Sequence, residues 1–344
     1  MIHPAQVATV VIAAMLFTAA VDAGLDPAAA GAIPAPGEAA AAAPKSAAPA
    51  TGAKSHARAV TAETATAAAP PPPADQPAAT APPRGRIYLF RGALGPIFSR
   101  GMDSLTEKLE QAGFTASVNE FTICRLIAAK AVREYREDPE PIILIGHSMG
   151  GLCTIIFSEI LQEENIPVSL DVAIDPAHVT PSVPLNVERF FNIFLSETVL
   201  GGGDVKPSPG YQGHYASYDL SLHDEVTHIN IEKMDQVHAQ LITKIAQLAT
   251  TPAKGGGETV PLRYVVPANA EIELWDSGMP VVTRPGDTLQ SIAASYHVPL
   301  WSLTQMNKGP DNTPLVPGQR VVVPRHLEPL AEVSAHAAAP APKR

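Results

Sequence analysis

The stretch "PIILIGHSMGG", Pro141 to Gly151, constrains the fold more than any other part of the chain. Ile142 to Ile145 is an unbroken apolar run. A strand with one wet face alternates apolar and polar residues, whereas a run without alternation belongs to a strand covered on both faces, as in a parallel sheet. Gly146 ends the run, Ser148 follows, and Gly150 and Gly151 lead into an apolar helical pattern that reaches Leu161. A strand that turns at once into a helix brings its flanking positions close together. Side chains at Gly146 and Gly150 would collide there, so the glycines let the turn hold Ser148 outward.

The flanking sequence repeats the strand–helix rhythm. "RIYLFRG" reads as a strand ending at Gly92. "MDSLTEKLEQAG" is a helix with Leu105 and Leu109 on one face and Gly113 as its stop. "FTASVNEF" is a second strand, and "CRLIAAKAVREYRED" an amphipathic helix ended before Pro139. The strand "SLDVAIDP" follows the serine unit. This alternation predicts an α/β fold with a mostly parallel sheet covered on both faces. Ala177–Asp224 reads as irregular and polar, with "LGGGD" and one further strand in "HYASYDL". A last helix is expected from Ile231 to about Leu248, with Asn230 as its cap. Cys124 and Cys153 lie in helical apolar patterns and read as two buried thiols.

Composition sets what surrounds this core. The chain has 344 residues, 35 prolines, 5% aromatic residues and a formal charge of −10. No basic block is present, which excludes nucleic acid as a partner. Residues 1–23, with an apolar run from Val7 to Val21, resemble a secretory signal cut after Ala23. That run is short for a membrane-spanning helix. Residues 24–85 are rich in Ala and Pro and read as a disordered, extended spacer. The globular domain is expected at residues 86–250 and a flexible linker at 251–260. A terminal region follows at 261–325, and a disordered tail at 326–344.

With strand, elbow and helix in place, residues 86–249 resemble a compact α/β-hydrolase, similar to its lipase- and thioesterase-like members. The resemblance implies a Ser-acid-His order along the chain. Ser148 is the expected nucleophile, His228 the base, from its loop just before the last helix, and Asp175 the acid, at the end of "SLDVAIDP". Asp204 and Asp219 stay open as acids, because many members carry the acid one strand later. His214, His223 and His238 are other histidines downstream, and His147 neighbours the serine. The oxyanion donors implied are the backbone amides of Met149 and of Ala93, the latter in "FRGALG", where Arg91 replaces the family's usual histidine.

The terminal region carries a second pattern. "RPGDTLQSIAASY" and "LVPGQRVVVP" match the two ends of a LysM module, with strand, helix, helix and strand over residues 281–324. Ile292, Tyr296, Leu300 and Leu303 are spaced for its small core. The resemblance implies binding of N-acetylglucosamine-containing glycan such as peptidoglycan, with Gly286, Asp287, Thr288 and Asn307 lining the groove. The whole then reads as an exported serine hydrolase of the periplasm or cell envelope, acting on an ester or thioester, with no metal or cofactor. The alternative is a wall-binding scaffold with an inactive hydrolase domain. An amidase or glycosidase lacks the metal-ligand spacing or carboxylate pair it would need.

Overall fold

A computed structural model of the chain describes residues 85–248, 257–309 and 311–326. The expected signal, nearly all of the spacer, most of the linker and nearly all of the tail lie outside the described residues. Strands β1 (Arg86–Arg91), β2 (Thr115–Glu120), β3 (Ile142–His147), β4 (Leu170–Ile174), β5 (Arg189–Phe194), β6 (His214–Asp219) and β7 (Leu262–Val265) form one sheet. Its order is β2-β1-β3-β4-β5-β6-β7, and every neighbouring pair is parallel. This is the α/β architecture with a parallel sheet expected from the alternation of elements.

The apolar runs explain the two-faced burial. Successive side chains of a strand point to opposite faces. Leu89, Ile143, Ile145, Val172 and Ile193 therefore enter one cluster, and Phe90, Ile142, Leu144, Ala173 and Phe190 the other. The first face is covered by α1 (Arg100–Gln111) through Leu105 and Leu109, and by α4 (Asp235–Leu248) through Leu241 and Ile245. The second is covered by α2 (Cys124–Glu137) and α3 (Met149–Glu163), through Ala128, Val132, Ile155, Phe157 and Leu161. The chain leaves β1 for the outer strand β2 and returns to β3. The switch point, where such sheets hold ligands, thus falls at the carboxyl ends of β1 and β3.

Three expectations are corrected. Cys124 and Cys153 are not free thiols: they form a disulfide, Cα atoms 5.7 Å apart, joining the start of α2 to α3. Spacing along the chain gave no sign of the pairing, because packing of the two helices on one sheet face creates it. A link closing 29 residues is worth about 3–4 kcal/mol in the chain-entropy account. Second, Ala177–Asp224 holds two strands rather than one; the missed strand is β5, "RFFNIF", every residue of it buried. Third, the last helix is broken: Ile231–Lys233 form a short 3-10 turn before α4.

The boundary at residue 261 also moves. Leu262–Val265 add the seventh strand to the sheet, and Trp275, fully buried, belongs to the same core as Leu241 and Ile245. The terminal module starts only with β8 (Ser277–Val282), which pairs antiparallel with β9 (Arg320–Arg325) and packs with α5 (Leu289–Tyr296) and α6 (Leu300–Asn307). It is docked, not merely tethered. The Trp301 ring of α6 lies 5.3 Å from Tyr264 and 5.7 Å from Trp275, centroid to centroid. The Gln305 amide pairs with both backbone groups of Val265, at 3.1 and 2.7 Å, and so covers part of the edge of β7. Beneath the amino ends of β5 and β6, Arg189 and His214 hold Asp276 at 2.8 and 2.6 Å, all three side chains buried. Burial alone would raise the Asp276 carboxyl, but the hydrogen bond from His214 and the Arg189 charge outweigh it and hold it below the usual carboxylate range.

Because this interface is aromatic and ionic, sheet and module should melt together. Trp301→Ala should lower the stability of both by about 2–3 kcal/mol within a single calorimetric transition. Two resolved transitions, with only the smaller one shifted, would show that the units fold independently.

A second prediction concerns Asp171 of β4, which has no exposure and accepts a hydrogen bond from Ser158 Oγ at 2.9 Å. Desolvation outweighs the hydrogen bonds of Thr154 and Ser158 and pushes its carboxyl up to about 7. With a folded value above the unfolded one, the stability it contributes is complete below about pH 4 and is lost as the pH rises to about 7. Asp171→Asn removes that loss. Urea titrations across this range should show the variant gaining on the parent by up to about 1.4 kcal/mol per pH unit. A pH-independent difference would mean that Asp171 titrates normally.

Candidate active site

The site is built at the switch point. Ser148 sits between β3 and α3 with φ 57° and ψ −119°, a conformation that L residues rarely adopt and that costs on the order of 1–3 kcal/mol. The glycines make it reachable. A Cβ on Gly146 would meet the Gly150 carbonyl oxygen at 2.1 Å, and one on Gly150 would meet that of Phe90 at 2.2 Å. The reasoning that placed glycine at both positions therefore holds at atomic distances. Gly92, just past the end of β1, is also tight: its Cβ would lie 2.8 Å from that of Ser148.

The structure brings Ser148, His228 and Asp175 together. His228 Nε2 is 3.1 Å from Ser148 Oγ, and His228 Nδ1 is 2.6 Å from Asp175 Oδ2. Asp175 follows β4 at φ 41° and has no exposed surface. A buried carboxylate needs its lone pairs filled. Oδ1 accepts from the amides of Leu195 and Gly202, at 3.1 and 2.8 Å, and Oδ2 faces His228. Gly202 of the "LGGGD" run shares this shell with Leu195. A Cβ on Gly201 would stand 2.4 Å from Asp175 Oδ2, and Gly202 has φ +86°. Three consecutive glycines beside the candidate acid Asp204 are the signal in the sequence that something approaches closely there.

The other candidates lie elsewhere. Asp204 accepts from Arg263 Nη1 at 2.6 Å on the surface, and Asp219 accepts from the amides of Ser196 and Ser221. His223 pairs with Glu225, His238 with the Glu232 carbonyl, and His214 belongs to the buried cluster at the opposite edge. The base loop has its own braces. The Asn230 side chain, expected to cap a helix, instead accepts from the Thr227 amide at 2.7 Å and donates to the Glu225 carbonyl at 2.8 Å. Met149 opens α3, whose first amides have no carbonyl in a preceding turn to pair with. Ala93 follows Gly92 in a turn, and Arg91 is held there by Asp103 and Glu120.

In the terminal module, Gly286 takes φ +86° with open space around it. Thr288 caps α5 in a reciprocal pair with Ser291, and Asp287 accepts from the Arg284 amide at 2.7 Å. Asn307, the other expected groove residue, donates its amide to the carbonyls of Leu303 and Val322 and accepts from the Val322 amide at 2.6 Å, so it clamps β9 to α6.

Comparison with known proteins gives one family match: residues 281–324 match the LysM domain. The search of curated proteins found no match. Two solved structures are similar in fold at low overlap. One is from Xanthomonas campestris pv. campestris and is described as a hydrolase of the alpha/beta superfamily. It is 11% identical with a TM-score of 0.24, over 48% of this chain and 95% of that one. The other is the NocB thioesterase domain in covalent complex with a fluorophosphonate nocardicin G analog. It is 15% identical with a TM-score of 0.25, over 48% of this chain and 91% of that one.

Proposed function

We propose that the chain is an exported serine hydrolase of the cell envelope that cleaves an ester or thioester and is held on peptidoglycan-type glycan by its LysM domain. The observation that carries the reading is the continuous path Ser148 Oγ–His228 Nε2, His228 Nδ1–Asp175 Oδ2, at 3.1 and 2.6 Å. A serine hydroxyl is a weak nucleophile at neutral pH and needs a base within reach, itself oriented by a third group. His228 takes the Ser148 proton as Oγ attacks the acyl carbon. The negative charge of the tetrahedral intermediate falls to the amides of Met149 and Ala93. His228 then protonates the departing alkoxide or thiolate, and the acyl group stays on Ser148. A water, deprotonated by His228, attacks the acyl-enzyme and releases the acid. Asp175 keeps Nδ1 protonated throughout, so that Nε2 faces the serine.

Two further observations support the cellular part. The Cys124–Cys153 disulfide suits an oxidising compartment, and a LysM domain is a glycan-binding unit. On this reading the glycan meets the open turn at Gly286 and the backbone of Asp287 and Thr288.

The test begins with a fluorophosphonate probe, which should label the protein at Ser148. Ser148→Ala should remove labelling and lower p-nitrophenyl ester turnover by about 10⁵–10⁶-fold. Asp175→Asn should lower it by about 10⁴-fold and Asp204→Asn should leave it near the parent value. Undiminished turnover in Ser148→Ala would end the catalytic reading. Separately, the intact protein should co-sediment with insoluble peptidoglycan, and Gly286→Val, which fills the open turn, should weaken that while ester turnover persists. Unchanged sedimentation would place the glycan contact elsewhere.

A further inference from the structure

His147 is the side chain next to the nucleophile that the proposed reaction does not use. It ends β3 and is 2% exposed, and each ring nitrogen has a partner. Nε2 lies 2.9 Å from the backbone carbonyl oxygen of His228, and Nδ1 lies 2.6 Å from Ser99 Oγ. The same Ser99 oxygen accepts from the Gly92 amide at 3.1 Å.

The proton positions follow from what each group can do. A carbonyl oxygen only accepts, so Nε2 carries the hydrogen. Nδ1 of a neutral imidazole then accepts, so the Ser99 hydroxyl donates to it. Ser99 keeps a lone pair for Gly92. One directed chain results: Gly92 N–H to Ser99 Oγ, Ser99 O–H to His147 Nδ1, His147 Nε2–H to the His228 carbonyl. Its direction needs a neutral ring. Burial, joined by repulsion from His228, pushes the imidazole down to about 3, so the ring stays neutral across the working range. The two histidine rings lie 4.8 Å apart, which leaves little freedom for either.

The ends of the chain matter because they belong to different parts of the machinery. Gly92 begins the β1 loop that carries Ala93, one oxyanion donor of the proposed mechanism. His228 is its base. We propose that His147 is a positioning residue that sets the spacing between the oxyanion loop and the base loop, acting through Ser99 on one side and the His228 backbone on the other. The proposal rests on the serine-hydrolase reading. Its force is geometric: both loops are irregular backbone, and one rigid ring anchored at the end of β3 ties them together.

The test uses three variants of the full chain. His147→Phe keeps the ring's size and loses both hydrogen bonds. His147→Gln keeps a donor near the Nε2 position. Ser99→Ala cuts only the arm to the oxyanion loop. A misplacement of about 1 Å can cost about 10²-fold in rate. His147→Phe should therefore lower kcat by about 100-fold, with KM changed less than about threefold, while His147→Gln returns to within about tenfold of the parent. A residue that merely filled space would show no such rescue. A second readout does not need turnover: the downfield proton resonance of His228 Nδ1–H, bonded to Asp175 at 2.6 Å, should persist in His147→Gln and vanish by exchange in His147→Phe. Where His147→Phe fails to fold, Ser99→Ala should still lower kcat with that resonance intact, and a normal kcat there overturns the proposal. A folded His147→Phe with near-parental kcat, or equal impairment of the Phe and Gln variants, overturns it too. If the parent lacks ester turnover, the resonance decides. Its loss in His147→Phe alone sustains the positioning role and sinks only the hydrolase reading, and its survival there sinks the positioning role.

Discussion

The close backbone approach at the β3–α3 turn is the constraint on which the site depends. Gly146, Gly150 and Gly92 leave no room for a Cβ, the nearest would-be contact at each falling at 2.8 Å or less. That approach forces Ser148 into its strained φ and aligns the start of α3 with the carboxyl end of β1. The strain, on the order of 1–3 kcal/mol, is small beside the burial of Ile155, Phe157 and Leu161 along the same helix, each worth roughly 1.5–3 kcal/mol. A helix whose far turns are fixed in the core can hold an unfavourable residue at its near end. The disulfide at Cys153 fastens the same helix to α2 from the other side.

The acid follows a related logic. A carboxylate with no exposed surface is tolerable only when the protein supplies the hydrogen bonds that water would have made. Leu195 and Gly202 do so from the loop after β5, at a distance that the Gly201 neighbour permits because it lacks a side chain. The loop is thus the solvation shell of Asp175. His228, in turn, is placed by its backbone as well as by its ring, because the carbonyl is bonded to His147 and the flanking residues to Asn230.

How much of this was legible in the sequence differs by the range of the interaction. The elbow could be read from four residues, because the collision it avoids is local. The fold class followed from the rhythm of apolar runs, and the grouping of Ser148, Asp175 and His228 from the chain order that the resemblance implies, with the acid at a strand end and the histidine before a helix. What the sequence hid was set by packing between distant segments. Ser99 gave no signal, since its role exists only where the first turn of α1 passes His147. Cys124 and Cys153 looked like core thiols because each does face a core. Strand β5 was lost in a stretch judged by its polar flanks. Leu262–Val265 was assigned to the wrong unit because a glycine-rich linker precedes it, although a linker's composition says nothing of which sheet the next strand will join.

The place of Leu262–Val265 in the sheet decides how the terminal module is held. A LysM domain on a loose tether would roam, and its effect on the hydrolase would be an averaged local concentration. Here the module's α6 lies on the edge strand and its first strand starts from a buried Asp276 held by Arg189 and His214. The sheet is used at both of its ends: the amino ends of β5 and β6 hold the terminal module, and the carboxyl ends of β1, β3 and β4 hold Ser148 and Asp175. Breaking the Asp276 cluster by removing one partner would strand a charge in the interior, which costs far more than an exposed ion pair is worth. The terminal module is therefore held in a fixed orientation relative to Ser148. Under the proposed function, a rigid mount would narrow the set of acyl groups able to reach Ser148 while glycan is held, a selection set by geometry rather than by any contact with the acyl group.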